Sequence, residues 1–269
     1  MSNFWQRTIT GILFITVLIG SILFGQISFQ VLFLVISLLG LDEFYKLIKT
    51  EQREPNVNLG LFVGAVTYIV TSAVSFNSLP PSYLSIIYPL FGILFFAELY
   101  RKKQDPFGNI AITILGIIYA VIPFVLLNKV ASLHINYNSN IVIGYFVLQW
   151  SSDTFAYLVG MSMGKRRLFE RISPKKSWEG FIGALILTTA ASQILAHFFT
   201  EFSSIDWAVI ALIVVITGTL GDLVESLMKR SLNIKDSGNI LPGHGGILDR
   251  FDGLLLAIPF IWAYLEIFR

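Results

Sequence analysis

No cysteine occurs among the 269 residues. That excludes disulfides, thiolate metal sites and a cysteine nucleophile, and it leaves the redox compartment open. Charge is scarce as well. Asp, Glu, Lys and Arg make up 13% of the chain, against about 25% in soluble domains. So few charges cannot cover a water-facing surface of this size. Histidine is limited to three residues, and none stands near His244 to make a second imidazole ligand. What replaces them is apolar: 55% hydrophobic residues and a mean hydropathy of +0.72. Between residues 9 and 268 the sequence returns repeatedly to apolar runs near the roughly 20 residues that a bilayer crossing needs. The expected fold class is therefore an all-α integral membrane protein. The opening segment has only Arg7 before its first apolar run and no small-x-small cleavage site, so it is expected to remain as the first helix.

Hydropathy and turn residues predict about nine transmembrane helices, near 9–25, 27–45, 59–76, 83–100, 109–129, 141–163, 180–200, 206–229 and 252–268. The links Ser78–Ser82, with its Pro80-Pro81 pair, and Asn136–Asn140 carry turn chemistry. Longer polar links are expected only at 164–179 and 230–251. Basic residues follow this alternation. If every helix crosses once, only Lys129 and Arg269 of the 19 Lys and Arg fall on one side. Cytoplasmic loops carry that excess. The N-terminus is thus expected in the cytoplasm and the C-terminus outside. Residues 1–140 read as a scaffold of helices for dimer or lipid contacts, and 141–269 as a catalytic region.

Carboxylates inside the apolar runs stand out. Asp153 lies in the sixth predicted helix, and Asp222 and Glu225 lie in the eighth. A charge near the bilayer centre costs at least about 2.5–3.5 kcal/mol, so such residues face a cavity, a partner or a cation. Asp222 and Glu225 are three apart and share a helix face, which Ser226 and Lys229 continue. An ion pair between Glu225 and Lys229 is the plain alternative for Glu225. It leaves Asp222 to be explained. Gly218 and Gly221 permit close approach of a ligand or a neighbouring helix. For Asp153, a structural role satisfied by Ser151, Ser152 or Thr154 stands level with a functional one.

Two polar links add to this set. Residues 235–253 hold Asp236, His244, Asp249, Arg250 and Asp252 among five glycines. Glycines let backbone N–H groups approach phosphate oxygens. Asp222 and Asp249 are expected to share a hard, oxygen-ligated cation such as Mg²⁺, with Glu225 and Asp252 completing its shell. Simple capping of the last helix by Asp249 and Asp252 is the alternative. The other link places six basic residues between Lys165 and Lys176, which by default anchors a loop or meets anionic lipid. Within it, Ser177 is expected to cap a helix starting at Trp178, with Lys175 and Lys176 beside an anion-binding helix end.

The stretch Ser226-x-Met228-Lys229-Arg230, four residues, Lys235-Asp236-x-Gly238-x-x-Leu241-Pro242-x-His244-Gly245-Gly246-Ile247-x-Asp249-Arg250-Phe251-Asp252 resembles the signature of the phosphatidate cytidylyltransferases, or CDP-diacylglycerol synthases, at every position of that 27-residue pattern. Gly221–Glu225, Asp153–Tyr157 and Ser173-Pro174-Lys175-Lys176-Ser177-x-Glu179-Gly180 are also similar to family sequence. The resemblance is strong over about 145–269 and extends to hydropathy alone before that. It implies cytidylyl transfer from CTP to phosphatidate, giving CDP-diacylglycerol and pyrophosphate for phospholipid synthesis. It further implies Mg²⁺ dependence, with a second cation left open, and a homodimer among membrane lipids. The expected place is the inner (plasma) membrane with the active site facing the cytoplasm; no nucleic-acid partner is expected.

On this reading Asp222, Asp249, Lys229, Arg250 and His244 are the candidate catalytic residues. Substrate would meet Asp153, Ser173, Lys175, Lys176, Ser177, Glu179, Arg230, Lys235, Asp236, Gly245 and Gly246. Lys175, Lys176, Lys229 and Arg230 would neutralise phosphates, and Arg250 would bind one bidentately, as a lysine does not. An ion-coupled transporter is the rival of another class, with Asp153, Asp222 and Glu225 as relays; no paired repeat supports it. A CTP-dependent lipid kinase is the nearer rival. It would need a base for an alcohol proton and would release CDP.

Overall fold

The computed structural model describes residues 3–133, 136–238, 240, 243 and 245–269, with backbone only at 3, 4 and 7. Helix dominates, and the chain divides into two compact units. One comprises Met1–Tyr137 with Asp236–Arg250, the other Asn138–Lys235 with Phe251–Arg269. The expected boundary near 140 would leave 236–250 with the C-terminal helices, whereas these residues pack in the first unit. Among the described residues, six helices are long and apolar enough to cross a membrane, and Thr8–Phe24 is a shorter apolar helix. This is a membrane protein.

The first unit opens with α1 (Asn3–Phe24) and α2 (Gln26–Ile48), followed by α3 (Val57–Ser75) and a 3₁₀ turn, Pro81–Ile86, that leads into α4 (Ile87–Arg101). Then come α5 (Pro106–Ala120) and α6 (Ile122–Ala131). Asn56 and Asp105 cap α3 and α5 through their side-chain oxygens. Helix α2 supplies the centre of this core, with Phe29, Phe33, Leu41 and Tyr45 fully buried. Tyr45 donates its hydroxyl to the Thr113 carbonyl at 2.6 Å. A single helix was expected over 109–129. It is interrupted at Val121 because Pro123, at the start of α6, brings no N–H to continue the ladder.

The second unit contains α7 (Ser139–Met163), β1 (Arg167–Phe169), β2 (Ser173–Ser177), α8 (Trp178–Phe198), α9 (Ser204–Ser231) and most of α10 (Leu248–Phe268). Helices α7, α8 and α9 pack against one another. Trp207 of α9 lies where a side chain at Gly144 of α7 would be. At the start of α9, Ser203 and Asp206 form a reciprocal capping box. Asp206 also accepts from Tyr264 at 2.7 Å and pairs with Arg269, which ties the ends of α9 and α10 together.

Two features were not expected. Within 164–179, β1 and β2 form an antiparallel hairpin carrying an irregularity between Arg167 and Phe169. Helix α10 also begins four residues earlier than 252, so Asp249 lies in its first turn and Asp252 one turn further in.

Candidate active site

Helix α9 supplies two carboxylates and α10 a third. Among the described residues, Asp222, Glu225 and Asp252 each offer an oxygen within 4.8 Å of the others. Glycine makes this convergence possible. A Cβ at Gly221 would lie 2.5 Å from the Asp252 carbonyl, so α9 and α10 meet backbone to backbone there. Gly218 of α9 and Gly253 of α10 both accommodate the Gln149 side chain of α7. The Gln149 amide in turn donates to Asp153 at 3.3 Å. Thr154, expected as a partner for Asp153, instead returns its hydroxyl to the Trp150 carbonyl at 2.7 Å.

Each of these two α9 carboxylates has a lysine. Lys229 Nζ lies 2.5 Å from Glu225, whose side chain is fully buried. The i, i+4 ion pair that stood as the alternative for Glu225 is therefore present. Lys176 Nζ lies 2.5 Å from Asp222, and Ser226 donates to the same carboxylate at 3.2 Å. Counting Asp153, four carboxylates and two of these lysines share the region. The acidic surplus, oxygen-only donors and their spacing fit a hard divalent cation.

The basic link is held in shape by the start of α8. Ser177 Oγ accepts the Gly180 N–H at 3.2 Å, as the capping expectation required. Glu179 accepts the N–H groups of Lys165 and Arg166 at 3.0 and 3.1 Å, and Trp178 N–H reaches the Arg166 carbonyl at 3.0 Å. Glu179 thus builds the hairpin. A Cβ at Gly180 would meet the Ala156 carbonyl at 2.7 Å, so α8 lies tight on α7. Between α7, the hairpin, α8 and α9 lies a cavity of about 500 Å³. Arg167, Lys175, Lys176 and Ser177 line one part of it, Asp153 and Asp222 another, and Tyr157, Met161 and Phe181 give it an apolar wall. One space therefore offers cationic, acidic and apolar surfaces to a single guest.

In the first unit, the carboxylate of Asp249 is engaged locally. It accepts from Ser237 N–H, Ser237 Oγ and Gly246 N–H, each at 2.9 Å. Beside it lies Glu43 of α2, which is 4% exposed. Glu43 accepts from Ile247 N–H at 2.8 Å, from Leu248 N–H at 3.1 Å and from the Ser237 hydroxyl.

The model of the cytidylyltransferase family matches residues 5–268. The chain belongs to the cytidylyltransferase family. A relative from Bacillus subtilis (strain 168), named phosphatidate cytidylyltransferase, is 32% identical over 275 residues, covering all of both chains. One of the same name from Staphylococcus aureus (strain COL) is 32% identical over 266 residues, covering 95% of this chain and 96% of its own. A third from Staphylococcus saprophyticus is 38% identical over 162 residues, 60% of each chain.

In this family member, the cavity gathers Asp153, Lys175, Lys176, Ser177 and Asp222 from the expected set. Ser173 and Glu179 belong to the hairpin and its anchor. Arg230 is exposed and donates to the Ile234 carbonyl at 3.1 Å; Lys235, Asp236 and Arg250 are exposed too. Gly245 takes a left-handed φ of +82° beside Asp249, a conformation that suits glycine. Gly246 fits against Glu43, where a Cβ would collide with the carboxylate. His244 lies outside the described residues. Of the expected cation ligands Asp222, Asp249, Glu225 and Asp252, the three in the second unit, Asp222, Glu225 and Asp252, lie within reach of one another. Sequence reading passed over Gln149 and Glu43. The available signal for Glu43 was an acid in the last turns of an apolar span; for Gln149 it was an amide four residues before Asp153.

Proposed function

We propose that this family member transfers the cytidylyl group of CTP to phosphatidate, giving CDP-diacylglycerol and pyrophosphate. The observation that carries the reading is the single cavity that joins cationic hairpin residues to the Asp222 end of the acidic cluster. An oxygen of the lipid phosphate attacks the α-phosphorus of CTP. The bond from that phosphorus to the β-phosphate oxygen breaks, and pyrophosphate leaves with the electron pair. The attacking oxygen is already ionised, so no strong base is required. Such reactions depend on positioning and charge neutralisation.

Asp222, Glu225 and Asp252 would hold Mg²⁺, which supplies Lewis-acid stabilisation of charge on the phosphates when bound. Lys175, Lys176 and Arg167 draw the polyphosphate against the hairpin. Lys176 exchanges its contact with Asp222 for phosphate as substrate enters. Asp249, engaged by Ser237 and Gly246, shapes the glycine-rich segment. The apolar wall of Tyr157, Met161 and Phe181 suits the lipid or the base. The charge alternation supports nine crossings, a cytoplasmic N-terminus and an external C-terminus. On that arrangement the cavity opens to cytoplasmic CTP in the inner membrane, and the enzyme works as a homodimer.

The test is pyrophosphate release from CTP by detergent-purified protein, with and without phosphatidate, across Mg²⁺ concentrations. Release that requires both lipid and Mg²⁺ is expected. No release from folded protein, or CDP in place of pyrophosphate, would overturn the reading.

A further inference from the structure

Glu43 lies near the end of α2 and is buried, unlike its neighbour Asp42, which pairs with Lys46, and burial of a charge in a membrane helix is costly without partners. Its partners come from the far end of the sequence. Ile247, just before α10, and Leu248, its first residue, give it their N–H groups at 2.8 and 3.1 Å, and Ser237 gives it a hydroxyl. These N–H groups have no acceptor inside their own helix. A carboxylate at that point also meets the positive end of the helix dipole. The surrounding glycines are shaped to it. A Cβ on Gly238 would lie 2.8 Å from the Glu43 carboxylate, and one on Gly246 would collide with it. One turn earlier in α2, Gly40 seats against the side chains of Ile247 and Leu248. Ser237 is shared: its hydroxyl stands between the carboxylates of Glu43 and Asp249.

We infer that Glu43 is a positioning residue for cytidylyl transfer. It caps α10 from another helix, grips both flanks of the glycine-rich segment, and so sets the start of the helix that carries Asp252 a little more than one turn on. This rests on the function proposed above. Neither Gln nor Asp replaces it fully. Glutamine keeps the length but offers one acceptor oxygen and turns an NH₂ group toward backbone donors. Aspartate keeps both oxygens but draws them back by one methylene.

Two measurements test this on the full-length protein in detergent. The first is amide hydrogen exchange over residues 245–250. Exchange there is expected to quicken in Glu43→Gln relative to wild type, with α8 and the start of α9 unchanged. The second is turnover against CTP and Mg²⁺. Glu43→Gln is expected to lose about 10- to 100-fold in kcat, as loss of an outer support to a metal ligand does. Its KM for CTP should stay within about twofold, and its half-saturating Mg²⁺ should rise. Glu43→Asp should recover part of both losses, and Ser237→Ala should shift them in the same direction by less. A folded Glu43→Gln protein with wild-type kcat, Mg²⁺ dependence and exchange would overturn the proposal. So would a loss confined to thermal stability that Glu43→Asp does not relieve. If Glu43→Gln does not purify, Glu43→Asp and Ser237→Ala decide by the same readouts. Should the wild type release no pyrophosphate, the reaction falls and the catalytic role with it, while exchange at 247 and 248 still decides whether Glu43 holds the helix start.

Discussion

Lys176 on the hairpin and Asp222 on α9 meet at 2.5 Å, each partly open to solvent. This pair joins two elements that the sequence kept 46 residues apart: the basic hairpin and the acidic cluster. It gives the Asp222 carboxylate a cationic partner, and in the reaction proposed above an incoming phosphate would take that partner over.

Replacing Lys176 with Met should therefore impair catalysis more than folding. A loss of roughly 100-fold or more in kcat/KM is expected, the range seen when one charge-stabilising donor is removed from a site. Steady-state kinetics with thermal unfolding as a control would check it. An effect under about twofold would remove Lys176 from the phosphate path.

Asp222→Asn and Asp252→Asn are expected to abolish pyrophosphate release or to raise the Mg²⁺ requirement steeply, while both proteins insert and purify normally. Asp249→Asn should act differently. It weakens the three contacts to Ser237 and Gly246, so faster hydrogen exchange in the glycine-rich segment should accompany its loss of activity. A Mg²⁺ titration of all three variants separates the two behaviours. Identical titrations would count against assigning the cation to Asp252 in preference to Asp249.

Glu225→Gln leaves Lys229 facing a neutral partner in a buried place. Breaking a buried pair from one side costs about 3–5 kcal/mol, so the melting temperature in detergent should fall markedly. Glu225→Gln combined with Lys229→Met should regain much of that stability without regaining activity. Tryptophan fluorescence during heating reports the first effect and pyrophosphate release the second.

Gly221→Ala tests the helix crossing itself. The added methyl would sit 2.5 Å from the Asp252 carbonyl and push α9 and α10 apart. Activity should drop at least about tenfold. Gly20→Ala, where no atom lies within 4 Å, should be silent in the same assay.

EDTA should stop turnover, and excess Mg²⁺ should restore it. Restoration by Ca²⁺ to the same rate would argue against a small, octahedral ion at the carboxylates.

Much of this protein is legible in its sequence because lipid is a demanding solvent. Backbone groups in hydrocarbon must bond internally, so apolar runs become helices, and 13% charge leaves no soluble alternative. Local chemistry was equally readable. Ser177 caps α8, and Glu225 pairs with Lys229, since both depend on residues three or four apart. The fragments of the site were visible for the same reason, as acids do not enter apolar helices without cause. Their assembly was not visible. The start of α10 gives its N–H groups to Glu43, about two hundred residues upstream, a contact that no local spacing announces. The hairpin, too, follows from Glu179 reaching back to Lys165 and Arg166 rather than from strand-forming residues. Spacing along a chain sets which side chains share a helix face. Which helices then bring those faces together is decided by packing, at points such as Gly221, where two backbones touch and only the folded chain shows it.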